Sequence, residues 1–408
     1  MNTKIALLVD TTSIIKYSLQ ADLYSLCDNL SAEDCSLHIY LLGQDSDNKD
    51  ITQINEKLKK YSTMMQTFYS ESNPELLFLA KRHLDDRNFE SIFITSSNDK
   101  IHMWKALTNI LMTARQYEFS FKTLGEASEI EPEIDLKRLQ EECREMLKTI
   151  NTNEPIRIIK SPLIPKDIFY HGYSTRTGGI SSIAGLKSLN LLYITKKKDP
   201  KIVIEENVRR LAEAGNFKPE SFTTPLVDHG NIVWQTGTPK PEVYDGVVTV
   251  EQGITLAAPG ADCLDLIFAD PIKKCCGVAH SGWKGTVAEI AKEVIKKMTE
   301  LGSNTQDILV TLGPAVEGCC FVLDTKAAQK FKDISLSECL KYNEKDDNYH
   351  VDLFKANLKI LERNGILPEN IDSTTATYCT VCNPDLFFSC IRDKTPFGNQ
   401  FGFIGIHA

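Results

Sequence analysis

The sequence has no apolar run of the about 18 residues that crossing a bilayer takes; the longest near its start is Ile5-Ala6-Leu7-Leu8-Val9. That run continues into Asp10 with no small-residue cleavage site, so it predicts a buried strand, not the core of a secretory signal. No membrane span is expected, and the expected location is cytoplasmic, with organelle association only through a partner. Basic residues are in the minority. With 46 Lys and Arg against 55 Asp and Glu, the net charge of −9 provides no global positive field for nucleic acid. Internal repeats are absent, and no glycine-rich phosphate loop follows any strand-like run in the first 130 residues.

What is present describes an ordinary globular protein. The 408 residues, 42% apolar and 25% charged, are enough for two or three domains with full cores. Residues 1–130 alternate apolar runs (Ile5–Val9, Leu37–Leu42, Ser91–Thr95) with amphipathic stretches such as Met103–Arg115, which predicts a small α/β domain. Its role is not legible, and a protein partner is one use for it. A charged segment with apolar residues at helical period, Ile134 to Leu147, forms a helical linker over 131–155 and ends at Asn151-Thr152-Asn153-Glu154-Pro155. From residue 156 to 408, short strands separated by Gly and Pro turns are joined by two or three helices. The clearest is predicted to start at Thr286, where Thr286-Val287-Ala288-Glu289 reads as a capping box, and to stop at Gly302. Twelve cysteines diluted through the chain are expected to be reduced and mostly buried.

Three places could carry chemistry. Cys263 opens the apolar strand that runs to Asp270, and His280 ends the strand that begins at Cys275. A period of two puts Cys263 and Asp265 on one face, so a carboxylate lies near the thiol, as does Asp262 in sequence. His229, in Val227-Asp228-His229-Gly230, would complete a Cys/His/His set, the open three-ligand pattern of a catalytic zinc site. Without metal the same Cys and His would make a thiolate nucleophile and its base, and a buried structural Cys with a core His explains the spacing equally well. In Ser281-Gly282-Trp283-Lys284-Gly285-Thr286, Lys284 and the helix start could hold phosphate, or the glycines simply make a tight turn. Arg176, in Thr175-Arg176-Thr177-Gly178-Gly179, could clasp an anion or stand at the surface of a hairpin. The pair Cys379-x-x-Cys382 has no second ligand pair close in sequence, Cys390 alone not supplying one, so packing thiols are expected.

Taken together, Thr175–Ser181, Gly260–Cys263, Val278–Gly285, Leu312–Val316, Phe387–Ser389 and Arg392-Asp393 resemble, in order and spacing, the YfiH or "multicopper polyphenol oxidase laccase" family over residues 156–408. The extra N-terminal region makes the whole chain similar to the animal laccase-domain members. The resemblance implies an α+β fold of mixed sheets flanked by helices. It implies phosphorolysis of purine nucleosides (adenosine, inosine, guanosine, methylthioadenosine), deamination of adenosine, and zinc held by His229, Cys263 and His280. Two positions depart from the family, which usually has a proline or small apolar residue at Asp265 and alanine at Ser281.

Copper oxidase chemistry is excluded by arithmetic. A type 1 centre plus a trinuclear cluster needs roughly ten imidazoles. This chain has eight histidines and no His-X-His pair, so copper at the zinc ligands would be adventitious. The roles expected are thus proton transfer by Asp262 or Asp265, and phosphate binding by Lys284, Thr286 and Arg176. The competing readings are a Cys/His hydrolase of another small nitrogenous substrate such as citrulline, and a non-catalytic scaffold.

Overall fold

A computed structural model describes residues 3–16, 19–31, 35–44, 49–113, 116–125, 133–152, 154–194, 199–374 and 378–407. Arg115, Asn153 and residues 131–132 of the predicted linker lie outside these. The chain divides into two compact units: residues 1–151 with 182–184 and 193–206, and the remainder. The helix Leu136–Thr149 groups with the first unit, where it meets the helices Asn73–Asp86 and Asn98–Leu111.

The first unit is a parallel sheet of five strands in the order Met64–Tyr69, Cys35–Gly43, Thr3–Asp10, Ser91–Ser97, Glu118–Leu124. Its central strands are buried on both faces, which is why their sequences are continuous apolar runs. At their carboxyl ends Asp10 accepts hydrogen bonds from Ser13, Ser96 and Trp104 Nε1, which with Lys100 at 4.0 Å stabilise its charged form. Residues 182–184 are held in this unit by a buried polar knot. Lys81 Nζ donates to Asp85 at 2.6 Å and to Ser182 Oγ at 3.1 Å, and Ser182 Oγ donates to Asp85 at 2.6 Å.

The second unit stacks two sheets. One has six strands in the order Ile371–Asp372, Leu309–Leu312, Leu264–Asp270, Cys275–Ser281, Gly246–Thr249, Val233–Gln235. The other has five: Ile158–Ile159, Phe169–Ser174, Gln400–Ile406, Thr255–Gly260, Phe222–Thr223. Alternation along the strands assigns each face. Leu264, Leu266 and Phe268 pack with helices Ile290–Glu300 and Leu353–Arg363, whereas Ile267, Ala269, Cys276 and Val278 meet Leu256, Ala258 and Ile404 of the other sheet. Asp265 and His280 share parity with the inter-sheet residues, so both polar groups are driven into the layer between the sheets.

Local structure corrects the helix expected from Thr286. A short helix, Trp283–Val287, starts after Gly282, and a second, Ile290–Glu300, starts after Glu289 in the left-handed region at φ 58°. Thr286 is therefore inside a helix and caps nothing. Its hydroxyl donates to the Ser281 carbonyl at 3.3 Å.

Candidate metal centre

The hairpin of Leu264–Asp270 and Cys275–Ser281 pairs Asp265 with His280, which places Cys263, just before the first strand, beside the end of the second. His229 arrives from a separate loop. It adopts φ 60°, a conformation open to His at modest cost, and this turns the ring back towards the hairpin. One ligand atom from each of His229, Cys263 and His280 lies within 4.8 Å of the others, and the two imidazole rings stand 4.9 Å apart, nearly perpendicular at 80°.

A residue that the sequence did not single out organises this trio. Asp245 is buried ahead of the strand Gly246–Thr249, and its Oδ1 lies 2.9 Å from His280 Nδ1. The same carboxylate accepts from the main-chain N–H groups of Asp228 (3.1 Å), His229 (3.0 Å) and Gly230 (2.9 Å). One side chain thus holds the His229 loop and fixes the His280 tautomer, leaving Nε2 free to ligate. Burial alone would raise the Asp245 pKa, but the bonds from His280 and the loop amides outweigh it and hold the carboxyl below its ordinary value. The only sequence cue is an Asp-Gly step before a strand, which turns produce routinely.

Around the trio the electrostatics are opposed and coupled. Burial would raise the Cys263 thiol, yet the imidazole of His280 and hydrogen bonds from both histidines pull it down. Burial would lower His280, and the Cys263 thiolate with the Asp245 bond pushes it up. Two nitrogen donors and one thiolate, with a carboxylate fixing the second-layer proton, suit zinc. The cradle also fits: a Cβ at Gly282 would lie 2.7 Å from Cys263 Sγ and 3.4 Å from His229 Cδ2, so only glycine leaves the thiolate room.

Asp265 is buried beside these groups in a slot lined by glycines, where a Cβ at Gly260 would lie 2.7 Å from its Oδ2. Burial raises its pKa well above the usual carboxylate range, with the neighbouring Cys263 adding to this, while His280 and the Gly402 N–H oppose it. Its Oδ1 has no hydrogen-bond partner. The hydroxyl of Ser281 donates to Asn357 Oδ1 at 2.8 Å.

Three expected site residues are committed elsewhere. Asp262, at φ 95°, accepts from Thr380 Oγ1 (2.6 Å) and the Ile391 N–H (2.7 Å), so both oxygens tie loops together. Arg176 spends its fork on main-chain carbonyls, Nε and Nη2 on Lys187 and Nη1 on Pro384, and covers the Phe388 ring at 4.8 Å. It is a strut because carbonyls fixed at 2.7 to 2.9 Å already take the donors an anion would use. Thr286 is buried, accepting from Asn357 Nδ2 at 3.1 Å. Lys284 alone of the phosphate candidates stands exposed, its ammonium 5.8 Å from the Trp283 ring centre.

Fold and centre define a class: an α+β protein whose two stacked mixed sheets carry a Cys/His/His group able to hold a metal, two of its residues from one hairpin and the third from a loop. The profile of the family described as "Multi-copper polyphenol oxidoreductase laccase" matches residues 170–407, and the chain belongs to that family. Among its relatives, "Purine nucleoside phosphorylase LACC1" of Mus musculus is 41% identical over 85% of this chain and 84% of its own length. The Homo sapiens protein of that name is 37% identical over 98% and 94%. The crystal structure of YlmD from Geobacillus stearothermophilus superposes with a TM-score of 0.57 at 28% identity, covering 64% of this chain and 98% of that one. A shorter match, 31% identical over 39% of this chain and 61% of the relative, is "Adenosine deaminase RL5" from an unknown prokaryotic organism.

Proposed function

We propose that this protein is a zinc-dependent purine nucleoside phosphorylase, acting on adenosine, inosine, guanosine and methylthioadenosine, that also deaminates adenosine. The observation that carries the reading is the Asp245–His280 bond, which presents an imidazole nitrogen to a thiolate and a second imidazole. The names of the relatives support the substrate class. His229, Cys263 and His280 would hold zinc, and the chemistry gained on binding it is Lewis-acid polarisation.

The chain's own groups do the rest. In phosphorolysis a phosphate oxygen bonds to the ribose C1′ as the bond from C1′ to the purine nitrogen breaks, and the departing base takes up a proton. Lys284 binds the phosphate, and the Asp265 carboxyl, buried beside the trio with its Oδ1 unpartnered, passes the proton that the incoming phosphate carries on to the departing base. In deamination water adds at C6 of the purine and ammonia leaves, with Asp265 moving the proton between them. The test is metal analysis of the purified protein together with chromatography of adenosine and inosine, with and without phosphate. Stoichiometric zinc with phosphate-dependent release of adenine and hypoxanthine is expected, and inosine formed from adenosine adds the deaminase. Well-folded protein with neither zinc nor turnover would overturn the proposal.

A thiol hydrolase of another small nitrogenous substrate, such as citrulline, is the second reading, favoured by the paired Cys263 thiolate and His280 imidazolium. A nucleophilic Cys263 would be alkylated by iodoacetamide and keep working in a chelator, whereas a ligand would be shielded and chelation would stop turnover.

A further inference from the structure

The cysteines expected to be packing thiols are not dispersed. A turn in which the Cys320 and Phe321 N–H groups both donate to the Glu317 carbonyl carries Cys319 and Cys320. A second turn, closed by the Asn383 N–H and side-chain amide on the Cys379 carbonyl, carries Cys379 and Cys382. The bridge between Ala315 and Cys379 lays the two turns side by side. All four sulfurs lie within 4.8 Å of one another, with separations of 3.6 Å for Cys319–Cys320, 3.8 Å for Cys319–Cys382 and 3.5 Å for Cys320–Cys382.

We propose that Cys319, Cys320, Cys379 and Cys382 form a second, structural zinc site, separate from the His229/Cys263/His280 group. Four thiolates around zinc at about 2.3 Å make a tetrahedron with sulfur-to-sulfur edges of about 3.8 Å; the three separations among Cys319, Cys320 and Cys382 already match that size, and Cys379 lies within 4.8 Å of each. All four are unbonded to one another, although Cys319 and Cys382 are exposed. Exposed free thiols this close have little packing value; a shared ion explains why they converge. With four protein ligands the site is closed, which makes its role structural.

Its position says what it would hold. Thr380, between two of the ligands, donates to Asp262, and its carbonyl accepts from Arg392 Nη1 at 2.7 Å. Asp262 directly precedes Cys263. Zinc at the four cysteines would therefore pin the loop on which the first centre's thiolate rests.

The test measures zinc per chain in the full-length protein purified under reducing conditions, beside Cys379→Ser/Cys382→Ser and His229→Ala/Cys263→Ala. The unaltered chain should hold about two equivalents and each variant about one. If the cysteine variant fails to fold, cobalt(II) loaded into the unaltered chain keeps the question open to an answer. Absorption from thiolate-to-cobalt charge transfer should then correspond to five thiolates over two ions, and thiol labelling should show the four cysteines protected until a chelator is added. A single equivalent untouched by the cysteine substitutions, iron in place of zinc, or a disulfide among these cysteines by mass would each overturn the proposal.

Discussion

Replacing Asp245 with asparagine isolates the residue on which the candidate centre depends. The carboxylate accepts four hydrogen bonds on two oxygens: His280 Nδ1 and the His229 N–H on Oδ1, the Asp228 and Gly230 N–H groups on Oδ2. An amide has one oxygen, so two of those donors must face an NH2 group. If the oxygen stays with His280, the amides of Asp228 and Gly230 lose their partner, at about 1–3 kcal/mol each, and the His229 loop loosens. If the oxygen turns to the loop, His280 must accept at Nδ1, its proton moves to Nε2, and that nitrogen can no longer ligate. Both routes damage the metal site, and removal of such an outer partner typically costs about 10- to 100-fold in affinity or activity. Zinc affinity by competition with a chromogenic chelator, and turnover of inosine with phosphate, should both fall in that range while circular dichroism is retained. A folded Asp245→Asn protein that binds zinc and turns over as before would refute the reasoning.

Three further outcomes follow from the packing. Gly282→Ala adds no backbone strain at φ −62°, but places a methyl group 2.7 Å from Cys263 Sγ; displacing the thiolate by a fraction of an ångström should cost about 100-fold in turnover, and normal activity would mean that the thiol does not work from this position. Lys81→Ala leaves Asp85 buried without its ion partner, both side chains being 0% exposed, and should lower stability by about 3–5 kcal/mol in calorimetry, with Lys81→Met/Asp85→Leu recovering much of it; a loss below about 1 kcal/mol would contradict this. His171 is buried, which lowers its pKa from 6.5 to about 4 despite the contact of its Nε2 with the Ser161 carbonyl. It therefore stays neutral in the folded state while the unfolded chain takes up a proton below about 6.5, so stability is lost as pH falls from about 6.5 to 4, by roughly 3 kcal/mol. His171→Gln should flatten that acid limb in pH-dependent denaturation; an unchanged slope would count against it.

How much was legible depends on what each residue's neighbours are. Strands buried on both faces, such as Thr3–Asp10 and Leu264–Asp270, were readable as apolar runs. The strands Met64–Tyr69 and Glu118–Leu124 were not, because they sit at the sheet's two edges, half exposed, with mixed polar and apolar residues. The helix read from Thr286 to Leu301 has the right buried face but is interrupted at Glu289, whose left-handed backbone leaves no trace in the apolar period.

By itself the sequence offered Cys263, His280 and His229 as one possible metal trio, contained too few histidines for a multicopper centre, and, through its motifs, pointed to the family. These depend on residue types, their count and local period, all of which survive without coordinates. Tertiary structure alone decided that Asp245 reaches His280 from 35 positions away, and that Cys319 and Cys320 meet Cys382 across 63 and 62. It also decided that Arg176, Asp262 and Thr286 spend their polar atoms on the fold. A side chain's identity states which bonds it can make, but its partner is chosen by whichever donor or acceptor the closing of distant loops brings within 3 Å or so.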